Sequence, residues 1–127
     1  MRGSIALLVC ALAIPVCGCS KDEPAEPVRT QPNWDAKFAA ADGIRQVEVK
    51  DDAMAGLAKH AAEAGSHEVV RKALDNIRNV QNHDQAARSC AVALATTGLV
   101  ESARQIAEHI HDTAIQDDTL KQIAQIK

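Results

Sequence analysis

An all-α fold, a short right-handed superhelix of helical hairpins, is predicted by three observations. From Asn33 onward the chain repeats itself with a gap-free 33-residue period, its apolar positions recur with helical periodicity, and no proline follows Pro32. Leu57-Ala58, Ala61-Ala62 and Gly65 return as Cys90-Ala91, Leu94-Ala95 and Gly98, Glu68 and Val70 as Glu101 and Ala103, and Ile77 as Ile110. One hairpin cannot bury both its faces, so units of this period stack on their neighbours into an α-solenoid.

The first element is an export signal. Arg2 supplies positive charge and residues 5–16 are apolar; at about 1.5 Å per residue they span roughly 18 Å, short of the ~30 Å hydrocarbon core, so the segment reads as a leader removed at residue 18. Val16-Cys17-Gly18-Cys19 resembles the lipobox of bacterial lipoproteins, which implies that Cys19 is lipidated and becomes the new N-terminus. By the same resemblance the protein is anchored in the cell membrane or outer membrane, its domain facing the periplasm or exterior. Ser20 after the acceptor points to the outer membrane in a two-membrane host. Cys10 and Cys17 leave with the leader, so Cys90 is the one remaining free thiol and no internal disulfide is expected. In its apolar run Cys90 reads as a small buried hydrophobe, the other reading being a reactive thiol.

Loss of Arg2 moves the net charge from −3 to −4, a mildly acidic surface with no basic stripe. Trp34 and Phe38 are the only aromatics, too few for a base-stacking platform, so nucleic-acid binding is not expected. Residues 19–32 form a tether: Pro24, Pro27 and Pro32 stand among charges with almost no apolar content, and the stretch reaches up to roughly 35 to 40 Å at about 3 Å per residue.

The repeat domain spans 33–127, with helices predicted at 33–45, 51–64, 66–78, 84–97, 99–111 and 117–126. Asp51, Asp84 and Asp117 stand one period apart, each ahead of an apolar-periodic run, and read as N-caps of first helices. Gly65 and Gly98 suit the left-handed position that ends a helix, and Ser66 suits the cap of the next. Within a unit, Met54, Leu57, Ala58 and Ala61 make one apolar stripe and Val69, Val70, Ala73, Leu74 and Ile77 a second. Ala40 and Ile44 align with Ala73 and Ile77, so 33–45 reads as the second helix of a truncated first unit.

The spacing of Leu57-Ala58, Ala61, Gly65, Val70, Leu74 and Ile77, repeated by Cys90-Ala91, Leu94, Gly98, Ala103, Ala107 and Ile110, resembles tetratricopeptide repeats over residues 33–127. The period is one residue shorter than that family's, Asn82 stands where a proline is common, and the bulky first-helix aromatics are absent; HEAT-like or other α-hairpin repeats fit as well. The resemblance implies protein–protein interaction through a concave face of first helices. Carried over by position, that face holds Asp52, Ala55, Lys59, Ala62 and Glu63, then Gln85, Arg88, Val92, Ala95 and Thr96, then Asp118, Lys121 and Gln125. Lys59, Arg88 and Lys121 would meet an acidic peptide or carboxylate; the plainer reading is a solvated helix face. The carboxylate clamp of chaperone-binding relatives is not reproduced, since Gly56 and Ser89 replace its polar amides.

No metal site is expected. His109 and His111 flank one residue, and positions two apart on a helix point about 200° apart; they read as surface histidines at a helix C-terminus. His60 shares a helix flank with Lys59 and Glu63, and His67 and His83 fall in turns or caps. No phosphate loop, Gly-x-Ser-x-Gly or His-Glu-x-x-His is present, and the chain reads as a non-enzyme without cofactor. Trp34 and Phe38 share one helix face and read as a cover for the open end of the stack beside Leu57 and Ala61, or else as an exposed docking patch. Two functions follow: a lipid-anchored scaffold or adaptor that recruits an envelope protein, or a self-associating structural spacer, a homo-oligomer without a peptide ligand.

Overall fold

The computed structural model describes residues 32–127; the expected leader, Cys19 and the expected tether as far as residue 31 lie outside the described residues. Six helices and no strand occur there: α1 (Trp34–Asp42), α2 (Val47–Glu63), α3 (His67–Leu74), α4 (Val80–Thr96), α5 (Val100–Glu108) and α6 (Thr113–Gln125). The fold is all-α. No described helix is long and apolar enough to cross a membrane.

Long and short helices alternate after α1. The long helices α2, α4 and α6 begin at Val47, Val80 and Thr113 and the short ones, α3 and α5, at His67 and Val100, so both series advance by the same step. α2 packs on α3 and α4, α4 on α5 and α6, and α1 against α2. The seams are built from small side chains: Ala58, Ala61, Ala62, Ala73, Ala87, Ala91, Ala103 and Ala107 are fully buried, with Met54, Val70, Leu74, Leu94 and Ile106 filling the space between. Alanine both favours the helix and lets helix axes approach closely, so this core is made by backbone proximity more than by bulky side chains.

The helix ends have specific causes. Gly65 (φ 76°) and Gly98 (φ 88°) adopt the left-handed conformation expected of them. Ser66 N–H donates to the Ala61 carbonyl at 2.8 Å and Gly65 N–H to that of Ala62 at 3.0 Å; Leu99 and Gly98 repeat this on Leu94 and Ala95, both at 3.0 Å. Each pair is a Schellman closure, which reverses the chain within a short turn. Ser66 stands at the N-cap of α3, but its side chain makes no capping bond.

The starts of the first helices differ from expectation. They lie one helical turn earlier, at Val47, Val80 and Thr113, and Asn79 and Asp112 cap α4 and α6 through their side chains. Asp51 and Asp84 are therefore inside α2 and α4, 1% and 2% exposed, and Asp117 is inside α6 and exposed. The two buried carboxylates cap no helix; each instead accepts from the loop that leads into the next long helix. Asp51 accepts the Arg78 and Asn79 peptide N–H groups at 3.1 and 2.9 Å, and Asp84 those of His111 and Asp112 at 3.0 and 2.9 Å. This also shortens the second helices: α3 and α5 stop at Leu74 and Glu108, short of the expected 78 and 111, releasing the residues whose N–H groups must reach the carboxylates. α1 likewise ends at Asp42, where Lys50 Nζ bonds its carboxylate at 2.6 Å and ties α1 to α2.

Candidate functional site

Of the accessible polar places among the described residues, two bring together side chains with distinct chemistry. The first is a groove of about 300 Å³ between α2 and α4, lined by Asp52, Ala55, Gly56, Lys59, Asn82, Gln85, Ala86 and Ser89. Its width comes from two small residues at matching positions: a methyl placed on Gly56 would meet nothing within 4 Å, and the Ser89 hydroxyl turns back to donate to the Gln85 carbonyl at 3.0 Å. Lys59 and Gln85 are exposed on opposite walls.

Other residues expected on this face fare differently. Arg88 is taken up by Asp118 of α6, Nη2 to Oδ2 at 2.8 Å, and so does not project a free guanidinium. Lys121 is exposed on α6, and neither it nor Lys59 has an ion-pair partner among the described residues. Val92 is half-buried, whereas Ala62 and Ala95 are in the core, because the packing of α2 and α4 turns those positions inward. Trp34 is half-buried against the core together with Phe38, under Lys37 and Lys72, whose ammonium groups lie 5.2 Å and 4.3 Å from the two ring centres. An apolar groove of about 430 Å³ runs between α1 and α2, bordered by Ala40, Ile44, Leu57 and His60.

Cys90 is buried and makes no disulfide among the described residues. Burial pushes its thiol up to about 12, the nearby Lys59 charge lowering it and Glu63 raising it. A neutral thiol of this kind is no nucleophile at physiological pH.

The second place is the junction between α4 and the α5–α6 loop, centred on Asp84. Oδ1 accepts from the His111 peptide N–H and lies 3.1 Å from His83 Nδ1 and 3.0 Å from His111 Nδ1; Oδ2 accepts from Asp112 N–H. Burial by itself pushes the Asp84 carboxyl up, but the bonds from the His111 peptide, the two imidazoles and the Asp112 peptide outweigh it and hold it well below the ordinary carboxylate range. The ionised carboxylate only accepts, so each imidazole carries a proton on Nδ1. The rings lie edge to face, centroids 4.9 Å apart at 66°. His83 is buried while the His111 side chain is 61% exposed, so the cluster opens to solvent on one side.

This cluster was not legible in the His109-x-His111 spacing. α5 ends at Glu108, which leaves His109 as its C-cap and His111 in the loop, so the two never share a helical face and His111 meets His83 instead. His83 is in the first turn of α4 and buried, not in a turn or cap. The available signal was the repeat register: His83 and His111 align with Lys50 and Arg78, the residues beside the Asp51 junction. No protein-family model matches this chain, and no curated protein and no solved structure is significantly similar to it.

Proposed function

We propose that this protein is a lipid-anchored helical-repeat adaptor of the bacterial envelope, a right-handed solenoid of tetratricopeptide-like hairpins that takes an extended acidic segment of a partner protein. The observation that carries the reading is the α2–α4 groove, which sets the Lys59 ammonium, without an ion-pair partner among the described residues, across from the Gln85 amide over a floor opened by Gly56 and Ser89. A carboxylate side chain of a bound peptide pairs with Lys59, and Gln85 is placed to bond its backbone. Lys121 extends the positive character along α6; Arg88, held by Asp118, orders the wall between them. The constant step of the helix starts supports the repeat reading, since equal units stacked in register present equal faces. Cys19 supplies the membrane anchor and residues 20–32 the reach.

Self-association as a spacer is favoured by one feature, the apolar α1–α2 groove, which a second copy would cover. The anchor is tested first. Cells fed a clickable fatty acid label the wild-type protein and leave Cys19→Ser unlabelled; equal labelling of both removes the lipoprotein reading.

A further inference from the structure

We propose that His83, Asp84 and His111 form a binding site for a divalent transition-metal ion of the zinc type, at the joint between α4 and the α5–α6 loop. This reading is independent of the peptide groove. The donor atoms of the three side chains lie within 4.8 Å of one another. Two imidazoles and one carboxylate are a common ligand set for such ions, leaving one position of a tetrahedron for water. The fit is close. Each Nδ1 is 3.0 to 3.1 Å from Asp84 Oδ1, and metal bonds of about 2.0 to 2.1 Å require roughly 3.3 Å between ligand atoms. An ion thus enters by spreading these two contacts a few tenths of an ångström and drawing the two imidazoles, now within 4.8 Å of each other, to the same spacing, each ligating through Nδ1 with its proton on Nε2. The carboxylate stays aimed because the Asp112 peptide N–H holds Oδ2 and the His111 N–H holds the Oδ1 side, the kind of outer support that fixes metal ligands. The exposed edge of His111 is the entry path.

The Asp51 junction shows that closure does not require the histidines. Asp51 holds the equivalent pair of peptide N–H groups one repeat earlier, with no side chain bonded to it among the described residues; Lys50 turns away to Asp42. The loop is therefore closed by two hydrogen bonds that peptide N–H groups donate to a carboxylate. The imidazoles at Asp84 are additional, and both aim one nitrogen at the same oxygen.

The test is a Co²⁺ titration of the purified full chain after chelator treatment, read by the visible absorption of a low-coordinate cobalt centre, with displacement by Zn²⁺. A saturable one-to-one spectrum is expected, abolished by excess Zn²⁺ and unchanged in His109→Ala. His111→Ala, at an exposed side chain, weakens binding at least tenfold. The double change His83→Lys with His111→Arg installs the residues that the first junction already tolerates; it abolishes the spectrum, with helicity by circular dichroism retained as the check on folding. No saturable spectrum in the wild type, binding that survives His111→Ala, or binding that depends on His109 overturns the proposal.

Discussion

The α2–α3 and α4–α5 hairpins solve one problem with different residues. In both, a buried aspartate in the second turn of the long helix accepts two peptide N–H groups from the loop leading into the next long helix. Around Asp51 the flanking positions are Lys50 and Arg78, whose side chains leave the carboxylate alone; around Asp84 they are His83 and His111, whose side chains converge on it. The shared part is what joining two hairpins requires, since orphan N–H groups ahead of a helix need an acceptor and a buried carboxylate needs donors. The unshared part is free to carry something else. Two further differences run along the same helices: Leu57 of α2 aligns with Cys90 of α4, and Lys59 of α2 has no ion-pair partner among the described residues while Arg88 of α4 is engaged.

The largest expected effect is at Cys90, where the second hairpin has a buried thiol in place of leucine. Its ionisation is raised from 9.0 to about 12 by burial, and only the thiolate reacts, so alkylation of Cys90 at pH 8 should run about a thousandfold slower in the folded protein than in urea. The rate, followed at this residue by peptide mass, should climb with pH as long as the fold persists. Comparable rates in folded and unfolded protein would place Cys90 at an accessible surface and break the alignment of the two long helices.

Next come the junctions. Asp84→Ala removes the acceptor of two peptide N–H groups and two imidazoles and should lower stability by about 3 kcal/mol; Asp51→Ala removes the acceptor of two N–H groups alone and should cost about 2 kcal/mol. Urea midpoints measured on metal-free protein give the comparison directly. Equal losses would mean that the imidazoles contribute nothing to the apo junction. Losses under about 0.5 kcal/mol at both sites, the range of an ordinary surface substitution, would remove the junction from the account of the fold. Asp84→Asn should fall between, since one amide oxygen still accepts while its NH₂ faces further donors.

The same two hairpins mark how far a linear reading reaches. The ends at Gly65 and Gly98 were legible, because a left-handed closure is a local event and glycine is its residue. The six helices follow from the spacing of alanines and aliphatics. The starts were displaced because an aspartate ahead of an apolar run looks the same whether it caps its own helix or accepts from a loop 27 residues away. Lys59 and Gln85 came together on one groove through the inner-face positions carried over from the resemblance. Arg88 did not, because its partner Asp118 lies on another helix, 30 residues on. His83 and His111 were each legible as histidines, and nothing local paired them. Long-range polar contacts are invisible to periodicity, which sees only which face is apolar.

The smallest stability effect separates Lys59, which lines the groove, from Arg88, which does not. Lys59→Glu should lower stability by no more than about 0.5 kcal/mol, because the wild-type ammonium has no ion-pair partner to lose among the described residues and the new charge only faces Glu63 four residues on. Arg88→Glu sets a second negative charge beside Asp118 and should cost up to about 1 kcal/mol, the scale of an exposed pair. Binding should rank in the opposite order. An acidic peptide carrying a fluorophore, titrated against each variant, should lose affinity chiefly with Lys59→Glu and only modestly with Arg88→Glu. The wild-type affinity should fall as salt rises, since exposed charges are screened beyond roughly 8 to 10 Å at 0.1 to 0.15 M. A peptide that binds Lys59→Glu as well as wild type but is lost on Trp34→Ala, with helicity intact, would move the interaction from the α2–α4 groove to the N-terminal aromatic pair. Loss with Arg88→Glu alone would mean that the Asp118 pair opens to admit the ligand, making α4 and not α2 the wall that recognises charge.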